Sequence, residues 1–256
     1  MRLLIKNPCA ILAANAGGGL VVEDGRIAEL VPAGAQPSAP VDQTYDASRH
    51  VVLPGLVNAH HHFFQTLTRA HPDAINKELF PWLKSLYAIW SRLTPEQFQV
   101  AARLALTELM LSGCTTAADH HYLFPRGMED AVAMEAEASR EIGVRMTITR
   151  GSMNLSEKDG GLPPDSVVQD RDTILEDSER VLKLFHDPAP GAQIRIALAP
   201  CSPFSSDKTV MIESASSPSA TTASSTPTSA RRSTRSATAW RCTASAPSTC
   251  WKRPAG

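Results

Sequence analysis

From residue 216 onward the chain has no Leu, Ile, Val, Phe or Met, and no Asp or Glu. Residues 216–256 are mostly Ser, Thr, Ala and Pro, with five Arg and one Lys, a charge of +6. A segment with so little aliphatic surface cannot offset the entropy lost on ordering its backbone. The core must therefore come from residues 1–215, which hold 19 basic and 26 acidic residues, a charge of −7. Read as protein, 216–256 is a disordered basic tail. Read as translation, it fits GC-rich coding sequence in a shifted frame. One base earlier, codons for Ser225–Ser229 can spell Leu-His-Thr-His-Leu, and codons for Pro247–Trp251 can hide Val-Asp-Cys-Leu. The shifted frame is the reading adopted, and it makes the chain a truncated one.

Over its 256 residues the chain is 43% hydrophobic, enough for a buried core, and nearly neutral at −1. Domains average roughly 100–200 residues, so one or two fit. Balanced charge argues against a nucleic-acid partner. The N-terminus, MRLLIKNP, breaks before a signal-like apolar run forms. No apolar stretch is long enough to span a membrane. Cys9, Cys114, Cys201, Cys242 and Cys250 are scattered, with no paired spacing for a disulfide framework or zinc knuckle. These features point to a soluble, cytoplasmic protein.

Residues 1–50 carry short β-type runs, LLIKNPCAIL and GGLVVEDGRIAELV. Asp24-Gly25 between apolar runs predicts a hairpin, because a type I′ turn needs positive φ at both central residues. Gly17-Gly18-Gly19 lacks the Lys-Ser/Thr of a phosphate loop and is expected to be a flexible turn. From residue 51 the rhythm becomes strand then helix. VVLPGLVNAHHH (51–62) predicts a strand, followed by a long excursion to Leu93. Thr94-Pro95-Glu96-Gln97 opens a capped helix that runs to Gly113. Strands are expected at 115–124, 144–153 and 193–204. Helices are expected at 128–143, around 171–186, and from 207. Repeated β-then-α implies parallel strands with right-handed crossovers, in a doubly wound sheet or a TIM-type barrel. Polar residues gather at successive strand ends: His60-His61-His62, Asp119-His120-His121, Ser152 and Asn154, then Cys201-Ser202. Barrel active sites are built there, and no GxGxxG supports a dinucleotide fold.

Five of the eight histidines lie at two of these strand ends. Residues two apart on a strand share a face, so His60 and His62 can chelate one divalent metal. His120 and His121 are adjacent, so at most one faces the mouth; His121 is the candidate substrate contact. Gln65 could hydrogen-bond a polar heterocycle, and Trp82, like Trp90, could stack on a planar ligand or simply fill the core. Cys201 is a strand-end thiol without an evident base partner, a candidate substrate contact rather than a nucleophile.

The stretch Pro54-Gly55-Leu56-Val57-Asn58-Ala59-His60-His61-His62 resembles the first-strand signature of the amidohydrolase superfamily. Glu23-Asp24-Gly25-Arg26-Ile27 resembles the small β-subdomain at the N-terminus of such chains. The likeness extends over 60–70, 112–125, 149–170 and 197–205, towards the branch holding 8-oxoguanine deaminases, guanine deaminases and triazine hydrolases. It implies an α/β fold, a (β/α)8 barrel of which about four β/α units are readable. The organisation implied is a β-subdomain over 1–50, half a barrel over 51–215, and an out-of-frame or disordered segment over 216–256. It implies one zinc ion held by His60 and His62. A third His and a Glu from strand 5, a His from strand 6 and an Asp from strand 8 complete the set in such enzymes. None is readable here, so the catalytic residues of this chain are unknown. The implied reaction is hydrolytic deamination of a small-molecule purine, 8-oxoguanine to urate and ammonia, by an enzyme that is often a homo-oligomer. Strand 4 has no Lys for a carboxylated bridge, which fits one metal rather than two. The contrasting reading is a non-catalytic protein with a disordered basic tail.

Overall fold

The computed structural model describes residues 1–216 and two short strands further on, Trp240–Cys242 and Cys250–Lys252, paired antiparallel. The expectation for 216–256 otherwise lies outside the described residues. The chain divides into two compact units, Met1–Gly55 and Leu56–Gly256.

The first unit is built on β1 (Arg2–Lys6), β2 (Ala10–Ile11), β3 (Gly19–Glu23), β4 (Arg26–Val31), β5 (Gln43–Asp46) and β6 (Val51–Val52). Four of these form a sheet in the order β4-β3-β1-β5. Strands β3 and β4 are the expected hairpin: Glu23 pairs with Arg26 across Asp24 and Gly25, at φ 48° and 75°. Both values lie where a type I′ turn requires them, and the turn's twist matches that of the strands. Leu4, Val21 and Val31 form the buried face. The glycine run is a turn, but a tightly packed one rather than the expected flexible one. A Cβ on Gly19, at φ 124°, would sit 1.9 Å from the Ile5 carbonyl oxygen.

The stretch 51–62, expected as one strand, is two. Val51–Val52 pairs with Ala10–Ile11 in the first unit. Pro54, without an N–H to donate, interrupts the ladder, and β7 (Leu56–His61) opens the second unit. There, β7 is joined by β8 (Cys114–His121), β9 (Arg145–Ser152) and β10 (Ile194–Pro200) in the order β10-β9-β8-β7. Every pairing is parallel. Each strand lies beside the one before it in sequence. A doubly wound sheet would reverse direction at a switch point, and among the described residues there is none. The order is that of a barrel wall.

Helices cross between these strands: α1 (Leu79–Trp90) and α2 (Pro95–Leu111) before β8, α3 (Ala131–Ile142) before β9, α4 (Arg171–Phe185) before β10, and α5 (Lys208–Ser216) after it. The Thr94 hydroxyl accepts the Gln97 N–H, and the Gln97 side chain accepts the Thr94 N–H, with Pro95 at the first helical position. That is the expected capping box, which satisfies two donors the helix itself cannot. The helix ends at Leu111, and Gly113 follows with φ 87°. Helix α1 lies inside the long excursion that ends at Leu93. Its N-cap, Glu78, makes no side-chain capping bond, so no local start signal marks it.

Two buried clusters hold this unit together. One lies between sheet and helices, where Ala102, Ala105 and Leu106 of α2 and Val132 and Ala136 of α3 meet Met146, Ile148, Ile196 and Leu198. The alanines let the helices lie close to the sheet. The other, with Phe64, Trp90, Phe98, Tyr122, Phe124 and Met153, gathers at the C-terminal strand ends. It is the floor on which the histidine turn rests. No helix among the described residues is long and apolar enough to cross a membrane.

Candidate metal centre

The end of β7 is irregular where the histidines lie. Asn58 pairs with Ala117, but the next pairing is His61 with Asp119, so β7 carries one residue more than β8 over that step. Such a bulge re-aims the side chains around it. The Asn58 side-chain oxygen accepts the His60 N–H at 3.1 Å and fixes the bend. His61 turns aside, its Nδ1 accepting the His62 N–H at 2.9 Å. His60 and His62 converge, with their Nε2 atoms 3.1 Å apart.

The His62 ring is oriented from behind. Its Nδ1 donates to the His120 carbonyl at 2.8 Å. A carbonyl can only accept, so the proton sits on Nδ1 and the lone pair on Nε2. Burial pulls the His62 pKa down to about 4, which keeps the ring neutral. The His120 ring stacks on His60, centroids 4.4 Å apart. Two imidazole Nε2 atoms converging on one place, that of His62 with its lone pair fixed by the carbonyl bond behind it, form a donor set suited to a borderline divalent ion such as zinc. The residues present fit that ion.

A cleft of about 440 Å³ opens in front of the pair. Gln65, Thr68, Arg69, His71 and Trp82 line it along with the three histidines. Gln65 lies on a 3-10 turn, Phe63–Thr68, and donates to the Tyr122 hydroxyl at 3.4 Å. Gln65 and Trp82 thus line the same cleft as His60 and His62.

His121 and Cys201 do not line this cleft. Ala117 packs into the helix-facing core, so Asp119 and His121, two and four residues on, share its side of β8. His121 is fully buried, with Phe98, Phe124 and Phe64 at centroid distances of 4.6, 4.8 and 5.9 Å. The histidine beside His60 and His62 is His120. Adjacency on a strand shows that only one of the two can face the mouth; the phase comes from how β8 packs. Cys201 is not activated: burial pushes its thiol up to about 11, although the Ser205 and Ser202 side chains pull it the other way. It packs against the strand-end aromatic cluster instead.

Burial, and next the charge of Arg150, pull the His121 pKa down to about 3. The unfolded chain, near 6.5, therefore takes up that proton first as pH falls. His121's contribution to stability is full above pH 6.5 and is lost below it, about 3 kcal/mol by pH 4. Urea unfolding at pH 7.5 and 4.5 should show this drop, and it should shrink in His121→Phe. An equal drop in both proteins would contradict it.

The amidohydrolase family profile matches residues 51–221. Over 217 residues the chain is 60% identical to an 8-oxoguanine deaminase of Pseudomonas aeruginosa, covering 84% of this chain and 48% of that protein. It is 33% identical over 209 residues to a hydroxydechloroatrazine ethylaminohydrolase of Pseudomonas sp., covering 78% and 44%. In structure it is similar to an atrazine chlorohydrolase of Arthrobacter aurescens complexed with zinc, with a TM-score of 0.73 and 26% identity over 83% of this chain and 49% of the other. The chain thus spans about half the length of these relatives. With the family profile running over the strand that presents His60 and His62, and on through the rest of the parallel sheet, the chain belongs to the amidohydrolase family.

Proposed function

We propose that residues 1–215 are the N-terminal half of a metal-dependent hydrolytic deaminase, with 8-oxoguanine as substrate and urate and ammonia as products. One observation carries the metal reading: the two Nε2 atoms 3.1 Å apart, with the His62 proton fixed on the far nitrogen. The substrate reading is supported by the 60% identity to an 8-oxoguanine deaminase. Zinc held at this pair supplies Lewis-acid activation of water. The chain's own residues do the rest of the visible work. His62 stays neutral and oriented through its Nδ1 bond to His120. The His120 ring, stacked on His60, limits that ring's rotation. Gln65 places an amide donor and acceptor at the cleft wall, suited to the lactam edge of an oxidised purine, and Trp82 offers an apolar face to its plane. The overall change replaces an exocyclic amine by oxygen from water and releases ammonia. Such an enzyme would act in the cytoplasm, as a homo-oligomer when intact.

The test is to read the gene in the alternative frame from about residue 216 and assay both products for ammonia release from 8-oxoguanine, guanine and a chlorotriazine. The frame-corrected product should act on 8-oxoguanine, and the 256-residue chain should be inactive and prone to aggregate. Turnover by the purified 256-residue chain would overturn the truncation. Turnover of guanine or the triazine alone would overturn the substrate.

A further inference from the structure

Behind the histidine turn lies a group of ionisable side chains that the cleft does not use. Asp119 and His121 on β8 and Glu135 on α3 are all fully buried, and their ligand atoms lie within 4.8 Å of one another. Asp119 reaches forward: its Oδ1 accepts the Phe63 N–H at 2.7 Å, and Phe63 directly follows His62. The Thr149 hydroxyl holds the Asp119 backbone carbonyl at 2.9 Å. Behind, an Asp119 carboxyl oxygen lies within 4.8 Å of one of Glu135. Among the described residues no N–H or O–H donor reaches Asp119 Oδ2 or either Glu135 oxygen.

Two ionised carboxylates cannot remain this close in a dry interior without a counter-charge. A single proton between them removes the conflict. It belongs on Glu135, because Asp119 already has an N–H donor that favours its charged form. Burial raises both groups, and the neighbouring Asp119 charge raises Glu135 further.

We propose that Glu135 is a positioning residue, a neutral carboxylic acid that donates its O–H to Asp119 Oδ2 so that Asp119 can hold the Phe63 N–H and fix the turn presenting His62. The proposal rests on His60 and His62 being metal ligands. The link runs from α3 through Asp119 to the residue after His62. A shift of α3 against the sheet would reach the ligand pair along it. The competing use of the same three side chains is a buried cation site of their own.

The experiment uses the purified 256-residue chain and Co²⁺, whose visible absorption reports ligand geometry. Glu135→Gln keeps a donor towards Asp119 and should bind Co²⁺ within about threefold of the parent. Glu135→Ala leaves Asp119 Oδ2 without a partner and should bind at least about tenfold more weakly, with an altered spectrum. The infrared difference between the parent and Glu135→Gln, both at pH 7, should show a protonated carboxyl carbonyl band only in the parent. That band decides the point even if Glu135→Ala does not fold. Equal binding by all three proteins, or no such band, overturns the proposal. So does a second bound ion that disappears in Glu135→Gln, since the trio would then be a cation site. A parent chain that binds no Co²⁺ overturns the ligand reading beneath it.

Discussion

Replacing His62 with Ala should abolish Co²⁺ binding by this chain, weakening it by at least about a hundredfold. The loss of an oriented ligand exceeds the 10–100-fold expected for its supporting partners. Titration followed by visible absorption is the measurement, with zinc content after dialysis as a second one. His60→Ala should behave alike, because a single imidazole holds a divalent ion poorly. His50→Ala, an exposed histidine of the first unit, should bind as the parent does. The effect should be local: His62 lies at the mouth of the sheet rather than in its core, so the melting temperature should move little. Undiminished binding in His62→Ala would remove the metal from the proposed function.

The second large effect is on stability. Arg150, on β9, has a side chain with no exposure. Its Nε donates to Asp177 of α4 at 2.7 Å, its Nη2 to Gln169 at 2.8 Å, and its Nη1 to the Gly151 carbonyl. Its guanidinium also lies 4.1 Å from the centroid of Phe124. Removing it takes this donor from Asp177 Oδ2, from the Gln169 side-chain oxygen and from the Gly151 carbonyl. Breaking one partner of a buried pair costs about 3–5 kcal/mol. Arg150→Leu should therefore lower the unfolding free energy by about 3 kcal/mol in urea titration. Asp177→Asn should cost less, because Asp177 is partly exposed and also pairs with Arg180 at 2.7 Å. The double variant Arg150→Leu/Asp177→Leu should recover part of the loss, since both charges leave together. An unchanged urea midpoint in Arg150→Leu would show that the network carries no net stability. Arg150→Lys should not rescue it, as one ammonium cannot span three acceptors set around a planar fork.

Much of the local structure was written in short stretches of sequence. Asp24-Gly25 specifies its hairpin because few residue pairs tolerate two successive positive φ values. Thr94 and Gln97 specify a helix start because each side chain satisfies the other's backbone donor. The alternation of β and α patterns narrows the fold to parallel strands with crossovers. His60 and His62, two apart at the end of one strand, are legible as a candidate ligand pair. All of these depend on residues no more than a few positions apart.

What the sequence leaves open involves partners far along the chain. Whether His120 or His121 lies beside His60 and His62 depends on Ala117 packing against helices, and the His62 tautomer depends on a carbonyl 58 residues away. The β/α alternation alone allows a barrel or a doubly wound sheet; the barrel that the family resemblance implies is seen directly in the order of β7 to β10. Val51–Val52 leaves the strand it seemed to begin because Ala10–Ile11 offers it a ladder in another unit. Glu135 reads as one more acidic residue on an amphipathic helix until folding sets it against Asp119. Period and turn chemistry are properties of neighbours in the chain, whereas phase, burial and protonation follow from which distant surfaces exclude water together. Those surfaces exist only in the folded protein.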